Sequence, residues 1–150
     1  MSRSIRRRIS GLTVIATLVC SCVAPARTEE AYRGKGESSA ATVLSAVQTA
    51  DLTLLVAQDD GLFAPQISIL LAEAEQAAAT AESTFASIQP PDADLDTYRE
   101  RLVGLLSRAT DVLGRLRIAA RRGDLGDVDA HRRVLMDLAA SLERMAGSQA

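Results

Sequence analysis

Side chains able to do chemistry are sparse in this chain. His131 is the sole histidine, and Asp127 stands one helical turn before it. An imidazole beside a carboxylate suits a general base or the start of a metal site. A zinc site, however, takes three or four ligands, and di-iron bundles carry two Glu-x-x-His motifs, neither of which occurs here. A serine nucleophile needs a histidine base and an orienting acid. No G-x-S-x-G elbow and no phosphate-binding glycine loop accompanies the serines of this sequence. The run Asp92–Asp96, DADLD, opens like a calcium loop. That loop also requires glycine at its sixth position and glutamate at its twelfth, where this chain has Thr97 and Val103. The carboxylates therefore read as charges at a helix N-terminus. Arg122-Gly123-Asp124 spells an integrin-type tripeptide, yet each residue already has a helix-ending or helix-starting role. The expectation is a protein that is not an enzyme and carries no metal and no cofactor.

The two cysteines, Cys20 and Cys22, raise a different chemistry. Arg3, Arg6, Arg7 and Arg8 precede an apolar run of nine residues from Gly11 to Val19. A basic start, a short apolar run and small residues beyond it form a secretory signal, whereas a membrane-spanning helix needs about 20 apolar residues. Val19-Cys20-Ser21-Cys22 resembles a bacterial lipobox. The resemblance implies cleavage before Cys22, lipidation of its sulfur, and a membrane anchored through that lipid. Ala24-Pro25-Ala26 offers a competing cleavage site that would release a soluble product starting at Arg27. No cysteine follows Cys22, so no disulfide is available to the domain.

Charge narrows the partners. Sixteen arginines stand against a single lysine, Lys35, which reads as the coding bias of a GC-rich genome. From Cys22 onward there are 13 basic and 19 acidic residues, a net charge of −6, which argues against a nucleic-acid partner. Residues 36–98 hold no lysine or arginine, whereas residues 97–150 hold 10 basic and 7 acidic residues, a net of +3. The domain thus has an acidic first half and a mildly basic second half.

The elements that must position these residues read as helices. Ala40, Val43, Val47, Ala50, Leu54 and Ala57 recur at spacings of three and four. Ile67, Leu71, Ala74, Ala78, Ala81, Phe85 and Ile88 repeat the pattern. So do Leu95, Tyr98, Leu102, Leu105, Ala109, Val112, Leu116 and Ala119, and finally Val128, His131, Leu135, Leu138, Leu142 and Met145. Pro65 suits a first turn, Gln89-Pro90-Pro91 ends the second helix, Gly123 ends the third, and Asp124 or Asp127 caps the fourth. Short connections make neighbours antiparallel. The predicted fold is all-α, an up-down-up-down four-helix bundle over residues 39–147. Before it come a signal peptide over 1–21 and a lipidated cysteine with a flexible tether over 22–38.

This topology places the tether, the C-terminus and the Pro90-Pro91 loop at one end, and the loops around Asp60 and Gly123 at the other. Leu62 and Phe63 in the far loop are either a plug for the bundle or an anchor for a partner, with Arg121 and Arg122 nearby as polar contacts. Together with the "FASIQPPD" turn at residues 85–92, the lipobox-like segment makes the chain similar to small exported lipoproteins of GC-rich, Gram-positive bacteria. That family implies a surface location and no known activity. The expected role is a non-catalytic interaction module on the outer face of the cytoplasmic membrane, with an envelope protein as partner. The alternatives are a secreted product, and a small-molecule or metal-binding protein using the bundle end near His131.

Overall fold

The computed structural model describes residues 28–59 and 61–147. Among the described residues four helices follow one another: α1 (Glu29–Gln58), α2 (Ala64–Ala86), α3 (Asp96–Arg122) and α4 (Val128–Ala146), with a 3₁₀ turn (Ala93–Leu95) before α3. No strand occurs among the described residues. The predicted signal peptide and lipidated cysteine lie outside the described residues.

Contacts between side chains fix the topology. The Tyr32 and Phe85 rings meet 5.3 Å apart, so the start of α1 lies beside the end of α2. Arg99 of α3 donates from Nη2 to Ala86 O at 2.7 Å, which sets α3 antiparallel to α2. Arg132 of α4 donates from Nε to Asp51 Oδ1 at 2.9 Å, and Gln58 Nε2 donates to Asp129 Oδ1 at 3.1 Å, which sets α4 antiparallel to α1. The helices therefore run up, down, up, down, as predicted. The pairs α2–α3, α1–α4 and α1–α2 pack extensively. By contrast α3 and α4, consecutive in the chain, barely touch, so one side of the bundle stays open.

The first correction concerns the start of the domain. Residues 29–38, predicted as tether, are the first three turns of α1. Thr28 is the N-cap and accepts a hydrogen bond from Ala31 N at 3.2 Å. Glu29 and Glu30 occupy the first turn, where the helix dipole favours negative charge. Glu29 also accepts from Arg33 Nε at 2.8 Å. Gly34 and Gly36 suggested a linker, but Gly36 answers a packing demand. A Cβ at position 36 would collide with the Tyr98 hydroxyl and come within 2.8 Å of Leu102 Cδ2. Of the predicted tether, only residues 22–27 fall outside the described residues together with the signal.

This extension matters because α4 is short. Its 19 residues span about 28 Å against about 45 Å for the 30 residues of α1. At the Glu29 end only three helices remain, and aromatic bulk fills the space the fourth would occupy. Tyr32, Phe85 and Tyr98, three of the four aromatic residues in the chain, form one cluster with centroid separations of 5.3, 6.2 and 6.5 Å. Arg33 caps it, its Cζ 4.9 Å from the Tyr98 centroid. Burial pushes the Tyr32 phenol above its ordinary range, although the Arg99 guanidinium nearby pulls the other way. Burial raises Tyr98 as well, and the Glu37 carboxylate adds to it.

The second correction is a rotation of α3. Leu95, Leu102, Ala109, Val112 and Leu116 are buried as predicted, but Leu106, Leu113 and Ala120 complete the core stripe. Leu105 and Ala119, predicted on the seam, are only partly covered. The α3 seam thus leans toward α2 and away from α4, which leaves the α3–α4 side unfilled. In α4, Leu135, Leu138 and Leu142 are buried, whereas Val128, His131 and Met145 lie at the margins.

Glycines inside the helices give a paired test. Gly36→Ala is expected to destabilise the domain by about 1–3 kcal/mol through the clash with Tyr98. Gly104 has open space around its Cβ position, so Gly104→Ala is expected to stabilise by about 0.5–1 kcal/mol. Urea denaturation of both variants measures this directly. A Gly36→Ala domain as stable as its parent would place Tyr98 away from α1.

Candidate functional site

The far end of the bundle is built by two loops and the helix ends they join. Gly61 N donates to Val56 O at 3.1 Å and closes the end of α1. Phe63 is the N-cap residue of α2; its N–H donates to Gln66 Oε1 at 3.0 Å, and Pro65 sits in the first turn. Across the end of the bundle, Gly123 takes the left-handed conformation at φ 67°. Its N–H donates to Ala120 O, and Asp124 N donates to Ala119 O at 3.0 Å, so the tripeptide Arg122-Gly123-Asp124 is a helix C-cap. Asp127 caps α4 by accepting from Ala130 N at 2.9 Å.

The four residues singled out for partner binding divide. Leu62 is half-buried and packs against the core, so it plugs the bundle end. Phe63 is 78% exposed, the most exposed of the large apolar side chains among the described residues. Arg121 and Arg122 are both exposed in the last turn of α3, at the same end as Phe63 because α2 and α3 run antiparallel. Arg121 also borders a shallow groove of about 470 Å³ with Ser68, Ile69, Ala72 and Gln76. Within that groove Arg117 donates from Nε to Glu75 Oε2, with a second bond from Nη2 to Oε1 at 3.4 Å. This pairing with Glu75 holds the Arg117 guanidinium above its ordinary range.

His131 lies elsewhere. It is half-buried on the first turns of α4 and lines a cleft of about 370 Å³ between α3, the 123–127 loop and α4. Val112, Leu116, Leu125 and Val134 supply apolar walls, and Arg115 and Asp124 stand at the margin. Asp127, considered as a partner for His131, instead caps the helix and lies 3.9 Å from Arg133 Nη2. Among the described residues no three histidine, cysteine or acidic side chains converge as a metal site would need. The Asp92–Asp96 run forms the 3₁₀ turn and the start of α3, with Leu95 buried beneath it.

The cleft escapes a seam-based reading because it exists only where two helices fail to pack. One signal for it is nevertheless in the sequence. Arg101, Arg108, Arg115 and Arg122 recur every seven residues, and all four are exposed.

α1 is long and apolar enough to cross a bilayer by length and composition. Its buried seam, from Tyr32 to Leu54, is also the core of this bundle, so the property is compatible with membrane association without requiring it. Comparison with protein-family models, with curated proteins and with solved structures gives no match.

Proposed function

We propose that this chain is an exported, lipid-anchored helical bundle on the outer face of the cytoplasmic membrane, acting as a non-catalytic interaction module of the cell envelope. The observation that carries the reading is the placement of Cys22 directly after a basic, apolar, small-residue segment. The early start of α1 sharpens its consequence. Six residues, 23–28, separate Cys22 from Glu29, and a fully extended chain of that length reaches only about 20 Å. A lipid on Cys22 would hold the Tyr32–Phe85–Tyr98 end close to the bilayer and the Phe63 end away from it. That far end carries an exposed aromatic ring and two exposed arginines, residue types enriched among interface anchors.

The test is the intact mass of the protein isolated from the membrane fraction of a bacterial host, beside a Cys22→Ala control. A chain beginning at Cys22 with added acyl mass, absent from the control, is the expected result. A soluble chain beginning at Arg27 would overturn the anchor. For the recognition end, the double variant Phe63→Ala/Arg121→Ala is expected to keep its melting temperature and lose an envelope partner recovered by cross-linking. Retention of every cross-linked partner would remove this end from the interaction.

A further inference from the structure

Resting on the interaction-module reading, we propose that the open side between α3 and α4 is a docking groove for an acidic amphipathic helix of a partner protein. Three independent observations converge there. The first is the sparse packing between α3 and α4. The second is the apolar lining of the cleft, from Val112, Leu116 and Ala119 on one side and Leu125 and Val134 on the other. Val134 is an apolar side chain left 39% exposed.

The third is the arginine strip. Arg115 borders the cleft, and Arg101, Arg108 and Arg122 lie at seven-residue steps from it on the same face of α3. Two turns of helix bring a side chain back to nearly the same direction, so the four form a row about 32 Å long on α3, of which Arg115 borders the cleft itself. None of their side chains has a hydrogen bond or ion pair within the described residues. The arginines that face neighbouring helices behave differently, since Arg117 is paired with Glu75 and Arg132 with Asp51. Asp111 lies on the outer flank of the row and Asp124 at its loop end, and no ion pair joins either to it.

An apolar trough with a row of cations along one wall selects its occupant by charge and by shape. The sparsely packed side between two antiparallel helices accepts a third helix, with apolar residues of the incoming helix seated in the cleft. Carboxylates at seven-residue spacing on its flank would meet the arginines one for one, as charged flanks do in coiled coils. Such pairs set partner choice and orientation.

The experiment uses the processed protein, carried in neutral phosphatidylcholine discs if it is acylated. The probes are a three-heptad peptide with leucine in the core positions and glutamate on the flanks, and its lysine-flanked counterpart. Isothermal titration is run on the parent, on Arg108→Glu/Arg115→Glu, and on the milder Arg108→Gln/Arg115→Gln, with circular dichroism confirming that each is folded. The glutamate peptide is expected to bind the parent at least about tenfold more tightly than the lysine peptide, and to lose about tenfold in the charge-reversed variant. Equal binding of the two peptides overturns the proposal, as does equal binding of the glutamate peptide to parent and variants. Two further outcomes also overturn it. One is arginine-dependent binding to phosphatidylglycerol vesicles with no peptide binding, which assigns the row to a lipid surface. The other is arginine-dependent self-association, which assigns it to a second copy. Failure here is separate from failure of the anchor: peptide binding by a chain without acyl mass leaves the groove standing, and an acylated chain that binds no peptide leaves the anchor standing.

Discussion

Phe85→Ala is expected to cost the domain about 3–5 kcal/mol, seen as a fall in melting temperature of roughly 10–20 °C. Phe85 is fully buried and lies against both Tyr32 and Tyr98. The cavity left by its ring opens where α4 has already run out, so no fourth helix can settle into it. Tyr32 and Tyr98 are held from α1 and α3, two rigid elements that cannot both move toward the void. Phe85→Leu keeps much of the volume and is expected to cost less, about 1–1.5 kcal/mol. Phe63→Ala is the control, because a side chain 78% exposed leaves almost nothing behind when it is removed. If Phe85→Ala and Phe63→Ala melt together, the aromatic cluster is not what closes the Glu29 end.

Leu106→Ala is expected to be the next most damaging change, at about 2–5 kcal/mol. Leu106 is fully buried, while its neighbour Leu105 is only partly covered. Leu105→Ala is expected to cost about 1 kcal/mol, in proportion to the smaller apolar area it removes from water. The contrast reads the rotation of α3. Regular 3–4 spacing admits Leu105 and Leu106 alike as seam residues of an amphipathic helix, and only the direction of the neighbouring helices separates them. Urea denaturation of the two variants, with equal m-values as the check on the unfolded state, decides between the orientations. A costlier Leu105→Ala would turn α3 back toward α4 and close the groove that the arginine row borders.

Much of the architecture was legible because it is signalled locally. Pro65 starts α2, Gly123 in a left-handed turn ends α3, and Asp127 caps α4 through Ala130 N. Each acts through its own backbone preference or a hydrogen bond a few residues away, so no knowledge of the rest of the fold is required. Three-four periodicity likewise placed Leu71, Phe85, Leu102 and Leu135 in the core. Part of the candidate site was legible too: Phe63, Arg121 and Arg122 were placed at one end by loop length alone, and they are exposed there. The separation of Leu62 from Phe63 was not, since adjacent loop residues differ in burial only through what lies beneath them.

Read alone, the sequence already implied the four helices of the described residues, their order and most of their ends, and a domain after Cys22 with no disulfide of its own. These follow from propensity, caps and composition, which act along the chain. Tertiary structure alone decided three things. It extended α1 back to Glu29, because Gly36 is a helix-weakening residue until Tyr98 needs the room above it. It turned the α3 seam from Leu105 to Leu106, because burial depends on where α2 lies. And it left α3 and α4 only sparsely packed, because α4 lies mainly against α1, to which Arg132 also ties it through Asp51. Contacts between residues far apart in sequence carry all three decisions, and periodicity within one helix cannot express them.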